Sequence, residues 1–226
     1  MFTMLPAAIQ QAASTPVDPF FADVVSLLHL NTNFFDQIGK TWAANGGTAI
    51  STSHPKFGTG SLNVGGSVGP TTNAGITTPS STDFDFGTGD FTIDWQQYWT
   101  SFADFQNTLD RGGTASGALL LETGSGDGKI IVYMGGSVIC SESSAPTLNA
   151  WHQYQLKRAG TTVTVTRDGA VTATGSSSAN LGLTAAFCWG AYASGANATA
   201  SYIDEARITK GVARTYATQT APWPDA

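Results

Sequence analysis

The stretch TTVTVTRDGAVTATG, residues 161–175, alternates small polar and apolar residues on both sides of Asp168 and Gly169. A period of two is the mark of a half-buried strand. Asp-Gly between two such runs marks a two-residue hairpin turn, because both central positions of that turn need positive φ. The stretch is therefore an antiparallel strand pair, and its neighbours extend the pattern. WHQYQLKRAG (151–160) places Trp151, Gln153 and Gln155 on one face and His152, Tyr154 and Leu156 on the other. GALLLETG, KIIVYMGG and SVICSES form a meander bounded by glycines, and FTIDWQQYW (91–99) is a long aromatic strand. VVSLLHL (24–30), TAISTS, GSLNVGG and AGITTPS add short strands on the N-terminal side, AAFCWGAYA and ASYIDEARIT on the C-terminal side. NTNFFDQIGKTWAANGG between them is turn-rich. Short strands with turn signals every 8–12 residues or so predict an all-β sandwich or barrel.

Composition agrees. Of 226 residues, 41% are hydrophobic and only 12% charged, so a large core is available and helix-forming Leu, Glu and Lys are sparse. The net charge of −6, with ten thinly spread basic residues, argues against nucleic-acid binding. No apolar run approaches the ~18 residues a membrane-spanning helix needs. Cys140 and Cys188 lie outside any CxxC or Cys/His cluster and read as buried small hydrophobes. The Ala/Gln/Pro-rich residues 1–19 lack a basic start and are read as an attachment arm preceding one domain, 20–226.

Five stretches stand in a familiar order: VVSLLHL, KFGTGSLNV, TPSSTDFDFGTGDFTID, WHQYQLKRAGTTVTVTRDGAV and YIDEARITKGVARTYATQTAPWPDA. Together they resemble the laminin-G-like, concanavalin-A-like jelly-roll domains found in bacteriophage virion proteins. The resemblance implies an antiparallel two-sheet jelly-roll sandwich. It also implies a non-enzymatic structural or decoration protein on the phage particle surface, in tail or capsid, with the arm docking on other virion proteins. The alternative is a tail-associated adhesin that binds host surface glycans, and a glycoside hydrolase is a weaker third reading. A homo-oligomer is compatible with the sequence, which holds no heptads to specify one.

Three groups of residues carry the chemistry. Trp95, Gln97 and Trp99 share one face of the aromatic strand, and rings with amides suit sugar recognition, so they are the candidate glycan strip. The resemblance implies a structural calcium held near the first strand and the last, at Asn31 or Asp36 and at Asp204; no cofactor is otherwise required. Asp204 and Glu205 are adjacent, so regular alternation sends them to opposite faces and they form no hydrolytic dyad. On that alternation Asp204 points inward with Ala206 and Ile208, whereas Glu205 and Arg207 make an exposed ion pair. His29 reads as a histidine satisfied by its neighbours rather than a catalytic base. Lys210, Arg214, Pro222, Trp223 and Pro224 are expected to tie the tail across the domain.

Overall fold

A computed structural model describes residues 17–65, 74–102 and 105–226. Among these residues the chain forms fifteen strands and two 3-10 turns. The first strands are short: β1 (Val24–Leu28), β2 (Ala43–Ala44), β3 (Ala49–Ser51), β4 (Ser61–Asn63) and β5 (Ile76–Thr78). Next come β6 (Phe91–Trp99), β7 (Gln106–Arg111), β8 (Leu119–Thr123), β9 (Ile130–Met134) and β10 (Ser137–Ser141). The last are β11 (Trp151–Ala159), β12 (Thr162–Arg167), β13 (Ala170–Ser176), β14 (Phe187–Trp189) and β15 (Ser201–Lys210). An eight-stranded sheet runs β13-β12-β11-β6-β15-β4-β3, with β1 also paired to β15. A seven-stranded sheet runs β10-β9-β8-β7-β14-β5-β2. All strand pairs are antiparallel, and the two sheets form the expected sandwich.

The hairpin that opens the sequence reading is present. Asp168 (φ 51°) and Gly169 (φ 85°) both adopt positive φ between β12 and β13. The strand QNTLDR, β7, carries no hydrophobic alternation and has no counterpart in the sequence reading, yet all six residues are buried. It lies inside the seven-stranded sheet between β8 and β14, and several of its polar groups are bonded within the protein, although both side-chain polar atoms of Asn107 and Arg111 Nε are not. Arg111 donates to the carbonyls of Gly117 and Leu181, and Asp110 accepts from the N–H groups of Gly113 and Ala193.

The core between the sheets is aromatic. Trp95 stacks on Tyr154 at 5.0 Å with 7° between planes and packs against Trp189. Phe84, Phe86 and Phe91 anchor the FGTGDF turn as expected, and Arg158 fixes it by donating to the carbonyls of Gly87 and Gly89. Cys140 and Cys188 are both buried free thiols.

The expected arm, residues 1–19, lies mostly outside the described residues. Its last part does not stand apart from the domain. Asp18 is buried, donates its N–H to the carbonyl of Ala226, and pairs with Arg207 (3.0 Å) and Arg214 (2.7 Å). Residues 211–226 form no strand and cross the outer face of the eight-stranded sheet, as the sequence leads one to expect. Trp223 lies 3.7 Å from the Arg207 guanidinium and donates its indole N–H to the carbonyl of Glu205.

Candidate functional site

The site forms on that outer face, and alternation along β6 decides which residues reach it. Phe91, Ile93, Trp95, Gln97 and Trp99 point between the sheets, so Asp94, Gln96 and Tyr98 point outward. On β11 the outward residues are Trp151, Gln153 and Gln155, as the sequence pattern predicts. The outward residues do not all meet solvent, because the tail covers part of the face. Gln153 receives residues 217–219 much as a neighbouring strand would. Its Nε2 donates to the Ala217 carbonyl and its Oε1 accepts the Gln219 N–H, both at 2.8 Å.

Four half-buried rings gather where the tail leaves the face open. Tyr98 lies edge-on to Trp151 (5.7 Å) and Tyr202 (6.0 Å), and His54 packs on Tyr98 (4.6 Å) and Tyr202 (4.4 Å). Beside them is a cavity of about 150 Å³ walled by Gln96, Trp151, Gln153, Lys56, Asp168 and Tyr216, among others. Gln96 is only 1% exposed. Its Nε2 donates to Gln219 at 2.9 Å, but its Oε1 meets no donor in the protein. Gln96 thus forms part of the cavity wall, while its Oε1 is itself enclosed by protein and lacks a donor there.

The expected glycan strip is elsewhere. Trp95, Gln97 and Trp99 are each 0% exposed, so none offers a face to a sugar. Trp95 donates to Gln97 Oε1 (2.9 Å), Gln97 donates to Ser201 Oγ (3.0 Å), and Trp99 donates to the Tyr154 hydroxyl (3.3 Å). Mixed polar and aromatic residues here mark a hydrogen-bonded core rather than an open strand. The opposite face of the same strand carries the site, and Trp151 belongs to it.

The residues expected to hold calcium do not converge. Asp36 accepts from Ser26 Oγ (2.6 Å), Trp42 Nε1 (2.9 Å) and the Ile38 N–H (2.8 Å). Asp204 Oδ2 accepts the N–H groups of Lys56 (2.9 Å) and Phe57 (3.0 Å), and Oδ1 that of Glu205. Asn31 Oδ1 accepts the Thr59 N–H at 2.9 Å. Oxygens aimed at N–H donors are an anion's surroundings, because the positive end of each dipole would repel a cation. Among the described residues no three His, Cys, Asp or Glu side chains gather to hold a metal. Asn31 and Asp204 instead clamp one loop, 54–59, from two sides. At Gly58 (φ 65°) a Cβ would stand 1.8 Å from Asn31 Oδ1, so the clamp closes only over glycine.

The faces expected around Asp204 are also corrected. Glu205 takes a positive φ of 50°, and the register of β15 against β6 shifts between Asp204 and Arg207. This β-bulge returns Asp204 and Arg207 to the same outer face, while Ile203, Ala206 and Ile208 stay in the core. The exposed Glu205–Arg207 pair does not form. Arg207 pairs with Asp94 (2.8 Å) and Asp18, and Glu205 is buried against His29 Nδ1 (2.8 Å) and the Trp223 N–H (2.8 Å). His29 Nε2 meets Asp225 at 2.7 Å, so both ring nitrogens are engaged beneath the tail. Other buried acids also serve structure: Glu142 pairs with Arg167 and accepts from Thr172.

The chain belongs to the Laminin_G_3 family of the concanavalin A-like lectin/glucanases superfamily, whose model matches residues 70–215. Solved structures share the fold at low identity. Domain 4 of AbnA, an extracellular GH43 arabinanase from Geobacillus stearothermophilus, was solved in complex with arabinotriose. It is 15% identical, with a TM-score of 0.64, over 85% of this chain and 94% of that one. A chain of botulinum neurotoxin type C, which enters cells through interaction with two ganglioside molecules, is 12% identical with a TM-score of 0.64. The binding domain of botulinum neurotoxin DC, in complex with rat synaptotagmin II, is 11% identical with a TM-score of 0.63. For both toxins the match covers 85% of this chain and 49% of theirs, so this chain spans about half their length. No curated protein sequence matches.

Proposed function

We propose that the protein is a non-enzymatic glycan-binding module, with its site on the outer face of the eight-stranded sheet. The observation that carries this is the juxtaposition of four half-buried rings with an amide-lined cavity whose Gln96 Oε1 has no donor. Ring faces cover the apolar faces of a sugar while amides and carboxylates bond its hydroxyls. Neither Asp204 nor Glu205 is free to act as acid or nucleophile, since both are occupied by internal donors. The setting we infer is the surface of a phage particle. This rests on the resemblance of the FDFGTGDFT and IDEARITKGVAR stretches to virion domains. Glycan binding by AbnA domain 4 and by the neurotoxin supports the reading by analogy of fold alone.

The test is a glycan array followed by titration of the best ligand. Trp151→Ala should weaken binding at least about tenfold with little change in thermal melting, because the ring is half-buried at the edge of the core. An array without signal, or unaltered affinity in Trp151→Ala, would remove the proposal.

A further inference from the structure

We infer that this site selects acidic sugars, those bearing a carboxylate, through Lys56. The inference rests on the glycan reading and narrows it. Lys56 forms part of the cavity wall beside Gln96 and Gln153. Among the described residues, no carboxylate lies within ion-pair distance of its ammonium, which stands 5.6 Å from the centre of the Phe57 ring. Lys157, Lys210 and Arg158 likewise make no ion pair, but of these four basic residues only Lys56 lines the cavity, whereas both arginines under the tail are matched by Asp18 and Asp94.

The acid in the same wall, Asp168, is already committed. Its Oδ2 meets His152 Nδ1 at 2.6 Å and its Oδ1 accepts the Gln153 N–H at 2.9 Å. The cavity therefore presents a cation without an ion-pair partner, a polar wall that includes Gln96 and Gln153, and a ring, Trp151. An acidic sugar supplies the complement of each: a carboxylate for Lys56, hydroxyls for the polar wall, and an apolar ring face for Trp151.

The backbone holds Lys56 in place. Its N–H and that of Phe57 both bond the buried Asp204 carboxylate, and Asn31 pins the same loop at Thr59. Asp204 is thus a positioning residue for the loop that brings both His54 and Lys56 to the site. Because only the Lys56 backbone takes part in this clamp, Lys56→Gln leaves the loop anchored.

The experiment titrates the protein with two matched probe pairs, polygalacturonate against its methyl ester and sialyllactose against lactose. In at least one pair the acid should bind about tenfold tighter than its neutral counterpart. The advantage should shrink as salt rises, and Lys56→Gln should bring the acid and neutral members of each pair to the same affinity. Binding with no preference for the acid in either pair, or a preference that survives in Lys56→Gln, overturns the inference and leaves the glycan reading standing. No binding by any probe, together with a silent array, overturns both.

Discussion

Glu205 is a strand residue in a left-handed conformation, at φ 50°, and its surroundings account for it. A non-glycine residue there costs of order 1 kcal/mol or more. The bulge is held from both ends, since the side chain bonds His29 and the Trp223 N–H while the carbonyl accepts the Trp223 indole. Burial alone would lower the pKa of His29. The hydrogen bonds and charges of Glu205 and Asp225 outweigh it and raise the value from 6.5 to about 9. Burial pushes the Asp204 carboxyl from 3.8 up to about 7, with the charge of Glu205 adding to it against the N–H groups of Phe57, Lys56 and Glu205. In both cases the folded protein binds its proton more tightly than the unfolded chain. The Asp204 contribution is therefore full below 3.8 and lost as pH rises through 7, and that of His29 is full below 6.5 and lost through 9. Melting temperature followed against pH should fall across both windows. His29→Gln should flatten the upper part of the profile; an unchanged slope in that variant would contradict the latch.

At the scale of elements, the tail is the least conventional part. It makes no strand, yet it covers Asp94, Gln96, Gln153, Gln155 and Arg207, polar residues that would otherwise line an open sheet face. Trp223 contributes a ring against Arg207 and an indole hydrogen bond at the bulge. Trp223→Ala removes both, and should lower unfolding free energy in urea by about 2–3 kcal/mol. A loss under about 0.5 kcal/mol, the scale of an ordinary surface substitution, would mean the tail only rests on the sheet. The loop 54–59 follows similar logic, with a carboxylate and an amide accepting its N–H groups where a metal ion was expected.

Across the whole molecule, the sandwich is legible because its strands alternate and its turns use Asp-Gly and glycine pairs. What escapes the sequence has physical causes. Gln106–Arg111 shows no strand pattern because it is polar at five of six positions, and groups such as the Arg111 guanidinium and the Asp110 carboxyl find partners only after the sheet has formed. The bulge leaves no trace, since glutamate signals nothing about left-handed φ, and one extra residue breaks the alternation across it, so that Ala206, Arg207 and Ile208 keep the faces assigned to them while Asp204 moves to the opposite one. Gln97 beside two tryptophans suggests an exposed glycan strip, whereas in the structure it bonds Trp95 and Ser201 within the core, and the open face of β6 is the opposite one. Trp151, on the neighbouring strand, was recoverable from its alternation with Gln153 and Gln155. The six tryptophans now separate by environment and can report where a ligand sits. The direct measurement is to follow their indole N–H resonances while titrating the glycan that binds best. Trp151 should shift while Trp95, Trp99 and Trp189 in the core stay still. A saturating ligand that leaves Trp151 unmoved would contradict the proposed site.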